Sequence, residues 1–293
     1  MVDCELWTVN LVMFAAYLIV ALFGLAFGSF LNVCIFRLCS EEKESIVTPG
    51  SHCRKCGRPI RWYDNIPVMS YVLLRGRCRS CGARISPIYP LVEGLTAGIF
   101  LIAWTAYGPT PRFIKCVIFS MLLVVIIFTD LLERTIPRVI TGFGMGSGLF
   151  FSLLVPVDDR FSGWILGKVG LDASRLAASF LGAAAGALFG AGLFYAVGEL
   201  FSRLRGKQAL GFGDVMLMGM VGTFLGVSLT YVTILLGSVI GTIVAGMLYV
   251  TSARFRRGYL WPYGSFLGVA ALYVGLGGPA LLEAYLRWSG LGQ

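Results

Sequence analysis

The chain is predicted to be an all-α polytopic membrane protein of about eight transmembrane helices, with a small four-cysteine domain carried in one loop. Three observations predict it. Of 293 residues, 57% are hydrophobic and only 13% charged, and the mean hydropathy is +0.81, which places the chain in the membrane class. Apolar runs recur at membrane-spanning length. Two Cys-x-x-Cys pairs fall together in the one long stretch where hydrophobicity collapses.

The first apolar run, about Asn10 to Phe36, follows Asp3 and Glu5 with no Lys or Arg. It lacks the basic start of a cleaved signal peptide and is too long for one, so residues 1–36 are expected to be an anchored helix with its N-terminus outside. Residues 37–90 hold ten Lys/Arg against four acids, a bias that assigns this loop to the cytoplasmic side. Residues 91–293 form a membrane domain of about seven helices, with spans expected near 91–107, 114–129, 138–155, 174–200, 214–227, 229–250 and 264–287. The sixth is short and meets the seventh through Gly226-Val227-Ser228, which leaves a re-entrant segment open. Arg134 and Arg138, then Arg203, Arg205 and Lys207, then Arg254, Arg256 and Arg257 fall on the side of the basic loop; the acidic connection with Asp158, Asp159 and Asp172 falls opposite. No internal repeat is evident.

The formal charge of +9 raises nucleic acid as a partner, but the basic residues flank apolar spans, as the positive-inside rule demands. Membrane lipid is the expected surrounding and no nucleic-acid partner is expected. The only histidine, His52, lies in the soluble loop, which removes Ser-His-Asp and H-E-x-x-H chemistry from the spans.

Cys53-x-x-Cys56 and Cys78-x-x-Cys81, 21 residues apart, have the spacing of a zinc ribbon with a closed tetrahedral thiolate site. A loop this small buries little core, so a structural zinc would supply much of its folding energy. Two disulfides are the alternative, disfavoured on a reducing side of the membrane. His52 is read as a solvated neighbour, with replacement of a cysteine ligand as the alternative.

Gly211-Phe212-Gly213-Asp214 puts a carboxylate in apolar sequence, where a charge at mid-membrane costs about 3 kcal/mol even on mild scales, so it is read as functional. Asp130, at the end of the third span, lies at similar depth. Two carboxylates about 4 Å apart repel by roughly 4 kcal/mol at an effective dielectric of 20, so such a pair holds one proton between them. That is the state with which an aspartic protease activates water and polarises a carbonyl. The glycines would let the backbone bend and an extended substrate strand approach. Glu133 is a rival partner, one turn from Asp130. Glu93, Glu199 and Glu283 read as boundary residues, and Met216, Met218 and Met220 as packing.

These residues resemble the bacterial type IV prepilin peptidases, membrane aspartic proteases with a Gly-x-Gly-Asp motif. The resemblance rests on Gly28 to Val33, the cysteine knuckles, Asp64-Asn65-Ile66-Pro67-Val68, Leu74 to Cys78, Tyr89 to Glu93, Asp130 to Pro137 and Gly211 to Asp214. It implies Asp130 and Asp214 as catalytic, cleavage of prepilin and type II secretion pseudopilin leaders after Gly at the cytoplasmic face of the bacterial inner membrane, and S-adenosylmethionine-dependent methylation of the new N-terminus. The substrates' apolar N-terminal helices would lie among the spans. The methyl donor would bind the cytoplasmic domain, where Asp64, Arg75, Gly76 and Glu93 are candidates by position; no Rossmann-type glycine motif supports them independently. Trp261 to Phe266 resembles the family's Pro-Phe-Gly-Pro segment with Tyr263 for Phe and Ser265 for the second Pro, a departure expected not to touch the aspartates. A proton-coupled transporter using Asp130 and Asp214 as a relay, and a non-catalytic assembly scaffold, are the readings from other classes. The transporter reading does not require the zinc ribbon.

Overall fold

The computed structural model describes residues 2–38, 45, 47–48, 50–157, 174–206, 211–251 and 262–288, with side chains from Asn10 to Gly277. The acidic connection at Asp158, Asp159 and Asp172, the basic Lys207, Arg254, Arg256 and Arg257, and Trp261 lie outside these residues. Among the described residues the regular structure is helical, with no strand; five helices are long and apolar enough to cross a membrane and two more are shorter and apolar. The chain forms two compact units, Met1–Phe113 and Ile114–Gln293.

In the first unit, α1 (Val2–Leu38) packs on α3 (Ile88–Tyr107). Gly24 and Gly28 make the approach possible: a methyl on either would sit 2.6 Å from the Cα of Ala97 or of Glu93. This is the four-residue spacing of small residues that lets membrane helices touch backbone to backbone. Asn32 Nδ2 donates to the Tyr89 carbonyl at 3.0 Å, and Phe36 stacks on Tyr89. The loop between these helices holds a 3-10 turn, Trp62–Asn65, and the short helix α2, Met69–Leu73. Arg75 and Gly76 end α2 with consecutive left-handed residues, the Gly76 N–H returning to Tyr71 O and the Arg75 N–H to Val72 O. This is the paired closure of a Schellman cap.

The loop also contains the repeat that the sequence reading did not find. Cys53-Arg-Lys-Cys56-Gly57 and Cys78-Arg-Ser-Cys81-Gly82 fold alike. Gly57 and Gly82 are both left-handed, Gly57 N–H bonds Cys53 O and Gly82 N–H bonds Cys78 O, and the bridges His52↔Pro59 and Arg77↔Arg84 close the two turns. The shared pattern C-R-x-C-G-x-x-I is visible in the sequence once those glycines are seen to need φ > 0.

In the second unit α4 (Pro111–Glu133) is apolar on every side and buried nearly throughout from Cys116 to Asp130, as expected of a central helix. Phe119 stacks on Phe224, Ile127 abuts Gly268, and Leu122 lies against Gly144. Around it lie α5 (Arg138–Leu154), α6 (Arg175–Arg205), α7 (Phe212–Thr251) and α8 (Tyr263–Trp288). Ser174 caps the start of α6 and left-handed Gly206 its end. Met218 and Met220 are fully buried, Met220 against Gly144, which agrees with the packing role.

The 40 residues of α7 are two legs. Gly226 has φ 74° and ψ −175°, outside any helix. A methyl on Gly190 of α6 would collide with Met218 O while lying 3.3 Å from Thr230 Cγ2. In an unbroken helix twelve residues separate two points by about 18 Å, so the chain reverses at Gly226. The two legs correspond to the sixth and seventh expected spans, and the turn is the Gly226 link. Phe212 to Leu225 measures about 21 Å at 1.5 Å per residue, short of a ~30 Å hydrocarbon core.

Gly186 and Gly222 let α6 and α7 cross in backbone contact, and a side chain on either meets main chain rather than a movable group. Gly186→Val is expected to lower the unfolding midpoint in detergent by several degrees, reflecting upward of about 2 kcal/mol of overpacking. Gly192→Val, on the same helix with open space around it, carries the same propensity cost without the clash. Equal midpoints for the two variants would refute the crossing.

Candidate functional site

Asp130 and Asp214 lie at opposite ends of their helices. Asp214 is the third residue of α7, and Gly211 stands at the cap position. Its N–H bonds Gly211 O at 3.1 Å, and its carboxylate accepts the Gly211 N–H in return. The first is an ordinary first-turn backbone bond; the second is the half of a capping box that an acid at the third position supplies, so the Gly-x-Gly-Asp run helps to write its own helix start. A carboxylate there also faces the positive end of the helix. Asp130 is three residues from the end of α4 and is 6% exposed. It takes its donors from α8: the Ser265 N–H bonds Oδ2 at 2.5 Å and Ser265 Oγ lies 2.8 Å from the same oxygen. Ser265 is the third residue of α8, a first-turn position without an i−4 partner, and its N–H is shared between Asp130 Oδ2 and the Pro262 carbonyl at 3.2 Å. Each aspartate is thus held by the start of a helix, Asp214 by its own and Asp130 by a neighbour's.

Ile136 joins the two sites. After left-handed Arg134 ends α4, its N–H on Asp130 O, the chain runs extended through Ile136 to Pro137 at the cap of α5. A methyl on Gly213 would lie 2.9 Å from Ile136 Cβ, and one on Gly264 2.7 Å from Ile136 Cδ1 and 3.1 Å from Asp130 Oδ2. The residue before Asp214 and the residue before Ser265 therefore meet on one side chain. Gly213 is helical rather than bent, so its service here is space for Ile136, not the flexibility expected of it. Arg138 lies over the Phe212 ring at 5.3 Å and packs the start of α7 against that of α5.

The departure at residues 263–265 proves to touch an aspartate, against expectation. A proline at 265 would provide neither the N–H nor the hydroxyl that reach Asp130. Tyr263 is engaged too, its hydroxyl 3.0 Å from Ser238 Oγ and its ring stacked on Phe194. Ser265 was missed because its partner is 135 residues away; the available signal was a polar residue at the third helical position directly after a glycine, as in Gly213-Asp214. Glu133, the rival partner, is exposed. Glu199 pairs with Arg203 at 2.8 Å as a boundary residue, and Glu283 lies among residues whose side chains are not described.

In the first unit the ligand atoms of Cys53, Cys56, Cys78 and Cys81 lie within 4.8 Å of one another, and Cys53 Sγ is 3.9 Å from Cys81 Sγ. Tetrahedral zinc with Zn–S near 2.3 Å needs sulfurs about 3.8 Å apart, so the four fit such an ion. The N–H groups of Cys56 and Lys55, aided by the neighbouring thiols, hold the Cys53 thiol down at about 6. For Cys81 the Ala83 N–H favours the thiolate, but burial and the other three sulfurs outweigh it and push it up to about 11. Four thiols sharing one site shed their protons unequally, and a dication removes that conflict. His52 stays outside, its Nδ1 3.0 Å from Gly50 O.

The four methyl-donor candidates occupy separate structural roles. Asp64 accepts a bidentate pair from Arg79 at 2.7 and 2.8 Å, which holds its carboxyl below the usual range. Arg75 and Gly76 form the α2 cap described above. Glu93, buried in α3, accepts the Val68 N–H at 2.7 Å and so secures a β-branched residue at φ 59°, an unfavourable position for it.

Residues 22–107 match the bacterial peptidase A24 N-terminal domain and residues 117–246 the type IV leader peptidase family. Similar proteins are the prepilin leader peptidase/N-methyltransferases of Pseudomonas aeruginosa, 32% identical over 92% of this chain and 93% of that protein, and of Pseudomonas putida, 29% identical over 97% and 99%. That of Myxococcus xanthus is 36% identical over 83% of this chain, a match spanning 65% of the longer relative. No solved structure matches.

Replacing Cys56 by Ser is expected to bring bound zinc, measured by elemental analysis of the purified protein, from about one per chain to near zero, with loss of stability. Unchanged metal content would refute the metal site.

Proposed function

This chain belongs to the type IV leader peptidase family, and on that premise we propose that it is a membrane aspartic endopeptidase whose catalytic pair is Asp130 and Asp214. The observation that supports the reading is that the glycine before Asp214 and the glycine beside Asp130 both press on Ile136, while each acid is met by a helix start. In such a pair one carboxylate takes a proton from water while the other, protonated, polarises the scissile carbonyl; the tetrahedral intermediate then collapses as the amine leaves with a proton.

The substrates are prepilins and type II secretion pseudopilins, cut after a glycine at the cytoplasmic face of the inner membrane. Their apolar N-terminal helices are held among the spans. Support comes from the names of the relatives and from the apolar helices of this chain. The basic bias of residues 37–90 supports placing the four-cysteine domain in the cytoplasm, with zinc as its structural ion. The same relatives support a second activity, transfer of a methyl group from S-adenosylmethionine to the freed N-terminal amine. We place the methyl donor in the region of Asp64, Arg75, Gly76 and Glu93, which falls in the segment matching the N-terminal domain. Residues 1–36, 37–90 and 91–293 are the proposed first helix, cytoplasmic domain and protease membrane domain. The proton-relay transporter reading gains no support, since the family and the relatives are peptidases.

Asp130→Asn and Asp214→Asn should each reduce cleavage of a co-expressed prepilin by about a thousandfold, the middle of the range for lost acid–base catalysis, while the protein still folds. Mass spectrometry of the prepilin reads the cleavage site and the added methyl group together. Retained cleavage in either variant would end the assignment of the pair.

A further inference from the structure

Ser265 is buried, 5% exposed, and its hydroxyl has one proton and two acceptors: Asp130 Oδ2 at 2.8 Å and Ile127 O at 3.1 Å. Its N–H also ends on Oδ2. Among the described residues, both groups that reach the Asp130 carboxylate therefore reach the same oxygen. Gly264 makes the contact possible, because any side chain there would press on Oδ2 at 3.1 Å.

We propose that Ser265 is a positioning residue for Asp130, holding Oδ2 so that Oδ1 is the oxygen presented to the reacting water, and keeping Oδ2 partnered in both of its protonation states. The inference rests on the peptidase reading above. When the carboxylate is ionised the hydroxyl donates to Oδ2. When Oδ1 has taken the proton from water, Oδ2 is the carbonyl oxygen of the neutral acid and still accepts from the Ser265 N–H and hydroxyl, with the Ile127 carbonyl as the hydroxyl's second acceptor. No proton is lost from the set, and the carboxyl keeps its orientation while its charge changes. A rotating hydroxyl can follow the change because it can divide its proton between two acceptors; an N–H has one fixed direction. Preorganised orientation of this kind acts on the chemical step rather than on substrate binding.

The test is steady-state cleavage of a prepilin by the purified full-length protein in detergent, with the unfolding midpoint measured alongside. Ser265→Ala keeps the N–H and removes the rotor; kcat should fall roughly tenfold with KM within about twofold, as for loss of one hydrogen bond to a charged group. Ser265→Thr retains both donors and should recover most of kcat. Wild-type kcat in Ser265→Ala overturns the proposal. So does a loss of kcat that tracks a lower midpoint and is not recovered by threonine, since that marks packing alone. Asp130→Asn separates the two readings. If it still cleaves, the catalytic pair fails and this inference fails with it; if it is inactive while Ser265→Ala behaves as wild type, only the role of Ser265 is lost.

Discussion

The constraint on which the second unit depends is the cost of holding two carboxylates in apolar surroundings, Asp130 buried and Asp214 half-buried. An unpaired buried charge is expensive, and no buried Lys or Arg is seen beside either acid among the described residues. The fold answers with helix starts. Asp214 closes on the N–H of Gly211 at the head of its own helix, and Asp130, near the tail of α4, is met by the N–H and hydroxyl of Ser265 at the head of α8. Free first-turn N–H groups and the positive end of the helix dipole favour negative charge without introducing a cation that would hold both acids ionised.

That solution explains where the glycines stand. Helix starts can meet acids only if the backbones come close, and the residues before Asp214 and Ser265 are both glycine, both pressed on Ile136. Farther from the acids, Gly186, Gly190 and Gly222 let α6 and α7 touch through main chain, and Gly226 reverses α7 after 14 residues. The short first leg follows from placing the head of a helix, rather than its middle, at the level of Asp130. In the first unit the same residue type serves the opposite purpose: Gly57 and Gly82 are needed for left-handed turns that curl each cysteine pair around one point.

Much of the site was legible because its signals are local. Cys-x-x-Cys fixes two ligands on one knuckle by chain geometry alone, and Gly-x-Gly-Asp fixes a cap, a small residue and an acid within one turn. Apolar length marked the spans, including two legs in a run that is helical on either side of Gly226. The second knuckle repeated the first, and the shared glycine was the overlooked sign. Ser265 was not legible in this way. It lies 135 residues from Asp130, and read locally it is an ordinary polar residue near the start of an apolar helix.

The amino-acid sequence alone therefore determined the class of the molecule and most of its spans, and singled out four cysteines and Asp214 as candidates, since each follows from hydropathy, from spacing within one turn, or from the cost of a charge in apolar sequence; Asp130 was singled out by resemblance. Tertiary structure decided what surrounds those acids: that the glycines beside them meet on Ile136, that Glu133 is exposed, that Gly213 provides space rather than bending, and that a serine substituted into a familiar segment holds Asp130. Those are contacts between helices distant in the chain. Their geometry depends on how backbones pack, and no local pattern of residues encodes it.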